Sequence, residues 1–197
     1  MKTLVWVEHD SSTIKDATLA AVSAASQLGD VNLLVAGSDC AGIAAEAAKI
    51  VGVGTVYLAD DIAYKNGLAE NVAPLIADLM ESHEAFLAPA TTTGKNIAPR
   101  VAAILDVMQI SDILSGEAAN TFTRPIYAGN AIATVQSADA KLVITVRGTA
   151  FEKASREGGA GSIEAVSGPG DAGISTFIGA EIAESERAEL TSAKVIV

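Results

Sequence analysis

Short apolar runs alternate with longer stretches of helical spacing along the first half of the chain. Leu4-Val5-Trp6-Val7 has no polar residue on alternate positions, which predicts a strand buried on both faces, as in a parallel sheet. Ile14, Ala17, Ala21, Val22, Ala25 and Leu28 follow at three- and four-residue steps, and Gly29 supplies a stop. The pattern then repeats. Val31 to Ala36 and Thr55 to Leu58 read as strands, with an alanine-rich helix from Ala41 to Val51 between them, closed by Gly52. Leu68, Val72, Leu75, Ile76, Leu79 and Met80 mark a third helix; Pro74 within it predicts a late start or a bend. Ala85-Phe86-Leu87-Ala88 is a fourth strand, and Ile97, Val101, Ile104 and Leu105 mark a fourth helix. Strands separated by helices of this length imply right-handed crossovers and a parallel sheet covered by helices on both faces, a three-layer α/β fold.

The texture changes near Asp112. Phe122 to Val135, with Pro125 and a turn at Ala128-Gly129-Asn130, reads as a hairpin, and Leu142 to Val146 as a buried strand. Glu157 to Ser162 is loop by composition; Ile174 to Ile182 and Ala193 to Val197 read as extended. No linker divides the chain. The expectation is one domain over 1–197, with 1–115 as alternating core and 116–197 as a hairpin and strand-rich elaboration of the same sheet. The strand-like end Lys194-Val195-Ile196-Val197 looks cut at a domain boundary.

Composition narrows the partners. Half of the 197 residues are hydrophobic but only 4% are aromatic, which suits tight helix-on-sheet packing. A net charge of −11 argues against nucleic acid and against an anionic membrane surface. Glu181, Glu184, Glu186 and Glu189 form an acidic stretch, either a solvated face or a patch for a basic partner. The single cysteine, Cys40, rules out an intrachain disulfide and suits a reducing compartment. Met1 runs straight into a strand, with no signal, span or Arg-rich leader, so a bacterial cytoplasmic protein is expected rather than one of the mitochondrial matrix.

Candidate chemistry is sparse. Gly168-Pro169-Gly170-Asp171-Ala172-Gly173 spells a dinucleotide fingerprint, but an extended segment follows where a helix is required, and Pro169 removes an amide. Gly52-Val53-Gly54 follows a helix and fares no better. The best-placed polar loop is Thr91, Thr92, Thr93, Gly94, Lys95 and Asn96, between the fourth strand and fourth helix. It lies at the carboxyl end of the sheet, where open α/β sheets bind ligands and a helix N-terminus can hold phosphate. It is equally a capping loop, with Asn96 or a threonine as N-cap. Glu8-His9-Asp10 ends the first strand at the same edge, either a general-base arrangement or a hydrogen-bonded strand end. His83 precedes the fourth strand at the opposite edge, so the two histidines cannot share a metal. No catalytic residues and no metal site are expected.

Two segments are specific. Thr123-Arg124-Pro125-Ile126-Tyr127-Ala128-Gly129-Asn130-Ala131 and Gly94-Lys95-Asn96-Ile97-Ala98-Pro99-Arg100 resemble signatures of the electron transfer flavoprotein α subunit. Glu8-His9-Asp10, Leu34-Val35-Ala36-Gly37, Ile110-Ser111-Asp112-Ile113 and Thr145-Val146-Arg147 fall in the same order, so the resemblance covers the whole chain. It implies a Rossmann-like N-terminal α/β domain of the adenine-nucleotide α-hydrolase kind, with added antiparallel strands in its C-terminal third, that meets a β subunit, in a heterodimer taking electrons from dehydrogenases, such as acyl-CoA dehydrogenases, to a quinone oxidoreductase. It implies FAD in a C-terminal domain that would begin with a Ser-Gly-Gly-Arg-type loop after Val197. No flavin-contacting residue can therefore be carried over to this chain. The resemblance also implies that the nucleotide cleft of this domain is generally not used. Arg124, Tyr127 and Asn130, on the polar hairpin, are candidate contacts to the partner, or mere shapers of a tight turn. An isolated domain with such a face could also pair with itself. A stand-alone nucleotide-binding sensor or carrier is the alternative reading, with an enzyme using Glu8, His9 and Asp10 behind it.

Overall fold

A computed structural model describes residues 1–181. Its main sheet has seven strands in the order β10-β3-β2-β1-β4-β9-β5, every pair parallel. These are β1 (Lys2–Trp6), β2 (Asp30–Gly37), β3 (Val53–Asp60), β4 (Ala85–Pro89), β5 (Gln109–Ile113), β9 (Leu142–Val146) and β10 (Ser162–Ala165). The helices are α1 (Asp16–Ser26), α2 (Ala41–Ala47), α3 (Ala69–Leu79) and α4 (Thr92–Leu105). Alternate strand residues point to opposite faces, so each strand feeds two cores. Val5 and Val7 pack with α1 and α2 on one face. Leu4 and Trp6 pack with α3 and α4 on the other. The chain winds outward through β1, β2 and β3, then returns to place β4 on the far side of β1. That reversal is the topological switch point, where a crevice opens beyond the strand ends.

The apolar runs became strands because burial on both faces left them no alternative. Two expectations change, the late start of α3 and the single sheet. α3 runs through Pro74. The lost hydrogen bond and ring clash cost about 3 kcal/mol, but Val72, Leu75 and Ile76 are fully buried, each contributing about 1.5–3 kcal/mol. Of the two caps expected for α4, Asn96 or a threonine, the threonine serves: the Thr91 hydroxyl accepts the Gly94 N–H at 3.1 Å, so the helix begins at Thr92. The C-terminal third does not all join one sheet. β9 and β10 do, but the hairpin β7 (Thr121–Ile126) and β8 (Ala131–Gln136) joins β6 (Ser115–Ala118) in a separate antiparallel sheet.

β10 begins at the last residue of the stretch read as loop, and its four residues are exposed at a sheet edge. Ile174–Glu181 form no strand. Tyr64 and Leu75 hold the Gly168–Gly173 segment close: a Cβ on Gly168 would come within 2.5 Å of the Tyr64 hydroxyl. The expected terminal strand at Ala193–Val197 and the glutamates beyond Glu181 lie outside the described residues.

His83 is buried at the amino end of β4, with Nδ1 donating to the Leu79 carbonyl (2.7 Å) and Nε2 accepting from Asn32 (3.2 Å). Burial holds its pKa below the ordinary 6.5, and His9 is lowered for the same reason. Both bind protons more readily in the unfolded chain. Stability is therefore full above about pH 6.5 and falls as pH drops through that value toward the folded pKa. Urea midpoints at pH 7.5 and 5.5 should show the loss, and His83→Asn should shrink the difference.

Candidate functional site

The carboxyl ends of β1, β2 and β4 surround a cleft of about 380 Å³ lined by Trp6, Glu8, His9, Tyr64, Thr93 and Phe177 among others. Glu8 follows β1, and its carboxylate accepts a hydrogen bond from the Thr91 hydroxyl at the head of α4. Burial raises the Glu8 pKa above its ordinary 4.5, opposed by the Thr91 hydroxyl and the Gly94 backbone amide, which favour the charged form. A carboxylate of the chain itself thus sits where a helix N-terminus would meet a phosphate.

The residues read from sequence as one polar loop separate. Thr91 caps the helix, Gly94 is buried beneath it, and Thr93 reaches the cleft. Thr92, Lys95 and Asn96 are exposed on the first turns of α4 and do not line the cleft; Asn96 faces Arg100 at 3.4 Å. Glu8, His9 and Asp10 turn to three different partners. His9 Nε2 donates to the Ala36 carbonyl (3.1 Å) while Nδ1 accepts the Ser11 N–H (3.2 Å). Asp10 accepts from the Ser12 and Thr13 amides (3.1 and 2.9 Å) and pairs with Lys15, which holds its carboxyl well below the usual range. This is a strand end tied down by hydrogen bonds. Cys40, buried at the start of α2, has its thiol pushed up to about 11 by burial and then by Asp60, the reverse of what a nucleophile needs. Among the described residues no group of three or more His, Cys, Asp or Glu side chains is placed to hold a metal.

A flavin dinucleotide does not fit the cleft as it stands. A pyrophosphate placed at the head of α4 would face the Glu8 carboxylate, which already engages the Thr91 hydroxyl. Sequence reasoning missed Trp6, Tyr64 and Phe177 as cleft residues. Trp6 read only as strand, Tyr64 carried no signal, and Phe177 fell in a segment taken as extended.

At the end of β5 a second polar cluster unites the other distinctive segments. Asp112 adopts a left-handed conformation (φ 60°) at a register shift in β5 and pairs with Arg147 after β9, Arg147 Nε lying 3.1 Å from Oδ1. Its amide donates to Thr145 Oγ1 at 2.8 Å. Arg124 on β7 donates from Nε to the Ser111 carbonyl at 2.8 Å, fastening the hairpin to β5. Arg124 is therefore half-buried and structurally engaged, while Tyr127 and Asn130 are exposed at the tip. Tyr127, Ala128 and Gly129 take successive positive φ values of 49°, 54° and 91°. Two non-glycine residues in that region cost roughly 1–2 kcal/mol each, strain of a kind concentrated at functional positions.

Comparison with known proteins gives these clusters a context. A family profile described as "Electron transfer flavoprotein domain" matches residues 3–169. The "Electron transfer flavoprotein subunit alpha" of Pseudomonas aeruginosa is 54% identical over 198 residues, covering 100% of this chain and 64% of the relative. That of Bradyrhizobium diazoefficiens is 53% identical, with 100% and 63% covered. A probable mitochondrial subunit alpha of Caenorhabditis elegans is 43% identical, with 99% and 60% covered. The chain thus spans less than two thirds of the length of these relatives. No helix among the described residues is long and apolar enough to cross a membrane. With the match running from the first strand into the Gly168 segment, the chain belongs to the electron transfer flavoprotein domain family.

Proposed function

We propose that this chain is the N-terminal domain of an electron transfer flavoprotein α subunit and serves as the scaffold that meets the β subunit. It is an electron-carrier domain and not a catalyst. The parent heterodimer would carry electrons from dehydrogenases, such as the acyl-CoA dehydrogenases of fatty acid oxidation, to a quinone oxidoreductase, in the bacterial cytoplasm. Its FAD would be held by residues outside this chain. The observation that carries the reading is 54% identity to a subunit alpha across the whole chain. The hairpin supports it: Arg124 and the Phe122 ring anchor its base, and its strained tip holds Tyr127 out, 79% exposed.

Binding of this chain to the β subunit of the Pseudomonas relative's pair, followed by surface plasmon resonance, tests the assembly role. Tyr127→Ala should weaken the complex by about tenfold, as loss of an aromatic anchor does. The melting temperature should stay unchanged. No association of the unaltered chain would sink the role; equal affinity of the two proteins would remove Tyr127 from the interface.

A further inference from the structure

Arg100 pairs with Glu70, Arg147 with Asp112, and Arg156 with both Asp16 and Glu46. Arg124 has no such carboxylate among the described residues. It is half-buried at the base of the hairpin and spends Nε on a neutral acceptor, the Ser111 carbonyl, which leaves both Nη groups without a partner among the described residues. A guanidinium is a planar fork matched to a carboxylate, and sheltering one from water without that partner is unfavourable. Arg124 lines a groove of about 360 Å³ with Met108, Gln109, Ile110, Val135 and Asp139. The groove lies between two sheet ends, since β5 is the last strand of the main sheet and β8 the last of the small one. Strands at sheet ends offer backbone groups that an added extended segment can pair. Gln109 contributes an amide oxygen with no donor among the described residues. Asp139 is the groove's own carboxylate, but it accepts from the Met108 amide (3.0 Å) and the Ser137 hydroxyl (3.2 Å). An occupant must therefore bring a carboxylate for Arg124 and an apolar side chain for Met108 and Val135. A small acid supplies no row of amides to two strand edges; an extended protein segment does.

We infer that this groove receives an extended acidic segment of the β subunit, with an aspartate or glutamate of that segment taking the free Nη groups of Arg124. The inference rests on the assembly role proposed above and adds a contact at the base of the hairpin to the one at its tip. The net charge of −11 repels an acidic partner at long range. The ion pair therefore acts only after contact, inside a Debye length of about 8–10 Å. It holds the complex by slowing dissociation and does not speed encounter.

Met108 tests the groove without disturbing the hold of Arg124 on Ser111, because its side chain is 75% exposed. Met108→Glu sets a rival carboxylate in the groove, Met108→Lys a second cation, and both lose the same methionine contact. Surface plasmon resonance against the β subunit of the Pseudomonas relative's pair should show the Glu variant binding at least about tenfold more weakly than the Lys variant, chiefly through faster dissociation. Ile62, exposed just after β3 on the far side of the sheet, is the control for general charge. Ile62→Glu and Ile62→Lys should differ by less than about twofold, since exposed charges beyond a Debye length are screened. A Met108 pair that differs no more than the Ile62 pair, or in the opposite sense, overturns the groove and leaves the assembly role standing. No association of the unaltered chain overturns both.

Discussion

Gly94→Ala is expected to destabilise the protein by about 3 kcal/mol or more, although the change places a better helix former in a helix. Alanine is favoured over glycine in a helix by about 1 kcal/mol. Here a Cβ would overlap the Pro89 carbonyl oxygen and lie 3.0 Å from its carbon, and that backbone belongs to the central strand β4. Neither side can retreat, because β4 is paired on both edges and Thr91 fixes the helix head. For a chain of this length the melting temperature should fall by roughly 6–12 °C. Gly42→Ala in α2 is the control. Nothing lies within 4 Å of its prospective Cβ, so it should leave stability unchanged or raise it by up to about 1 kcal/mol. Equal effects of the two substitutions, measured by urea unfolding, would refute the close approach of α4 to β4.

Phe122→Ala should cost about 3–5 kcal/mol, the range for deleting a buried aromatic ring. Phe122 is the one fully buried side chain of β7 and joins the core packed with α1 and α2. It is the main apolar attachment of the three-stranded sheet, the Arg124 hydrogen bond being the polar one. Its removal should therefore release that sheet before the rest unfolds, so amide exchange should accelerate across residues 115–136 and remain slow in β1 and β4. Ile132→Ala, 57% exposed on the neighbouring strand, should change stability by less than about 0.5 kcal/mol. Uniform acceleration throughout the chain would show that the hairpin has no separate attachment.

The sequence made the main sheet legible because its inner strands are buried on both faces and read as unbroken apolar runs. β1 and β4 were placed within two residues of their ends. The elements that escaped were those held by something other than burial. β10 has four exposed residues and exists by pairing its backbone with β3. The start of α4 was legible only as a choice between Asn96 and a threonine, because Thr91 and Gly94 fix it through a hydroxyl–amide bond and a close approach, neither of which leaves an apolar stripe. At the cleft, proximity of Glu8 to the α4 head followed from parallel pairing of β1 with β4, but its direct grip on Thr91 did not. The hairpin tip was read correctly as a turn, yet the inward use of Arg124 depends on the bend at Asp112, which only the register of β5 and β9 reveals.

The placement of β9 also sets the order in which the molecule can assemble. β4 and β5 are close in the chain but never meet; β9 lies between them, and the whole three-stranded sheet is made before β9 is reached. Pairing Ala85 with Leu142 closes a long loop, so this half of the sheet forms late and slowly compared with β1, β2 and β3. Until then β4 presents a bare edge of five buried-type residues, Ala85 to Pro89, and β5 has no partner in the main sheet. During synthesis that edge waits for about fifty further residues, a delay of several seconds at usual elongation rates, during which it is the segment most exposed to chaperones and to mispairing.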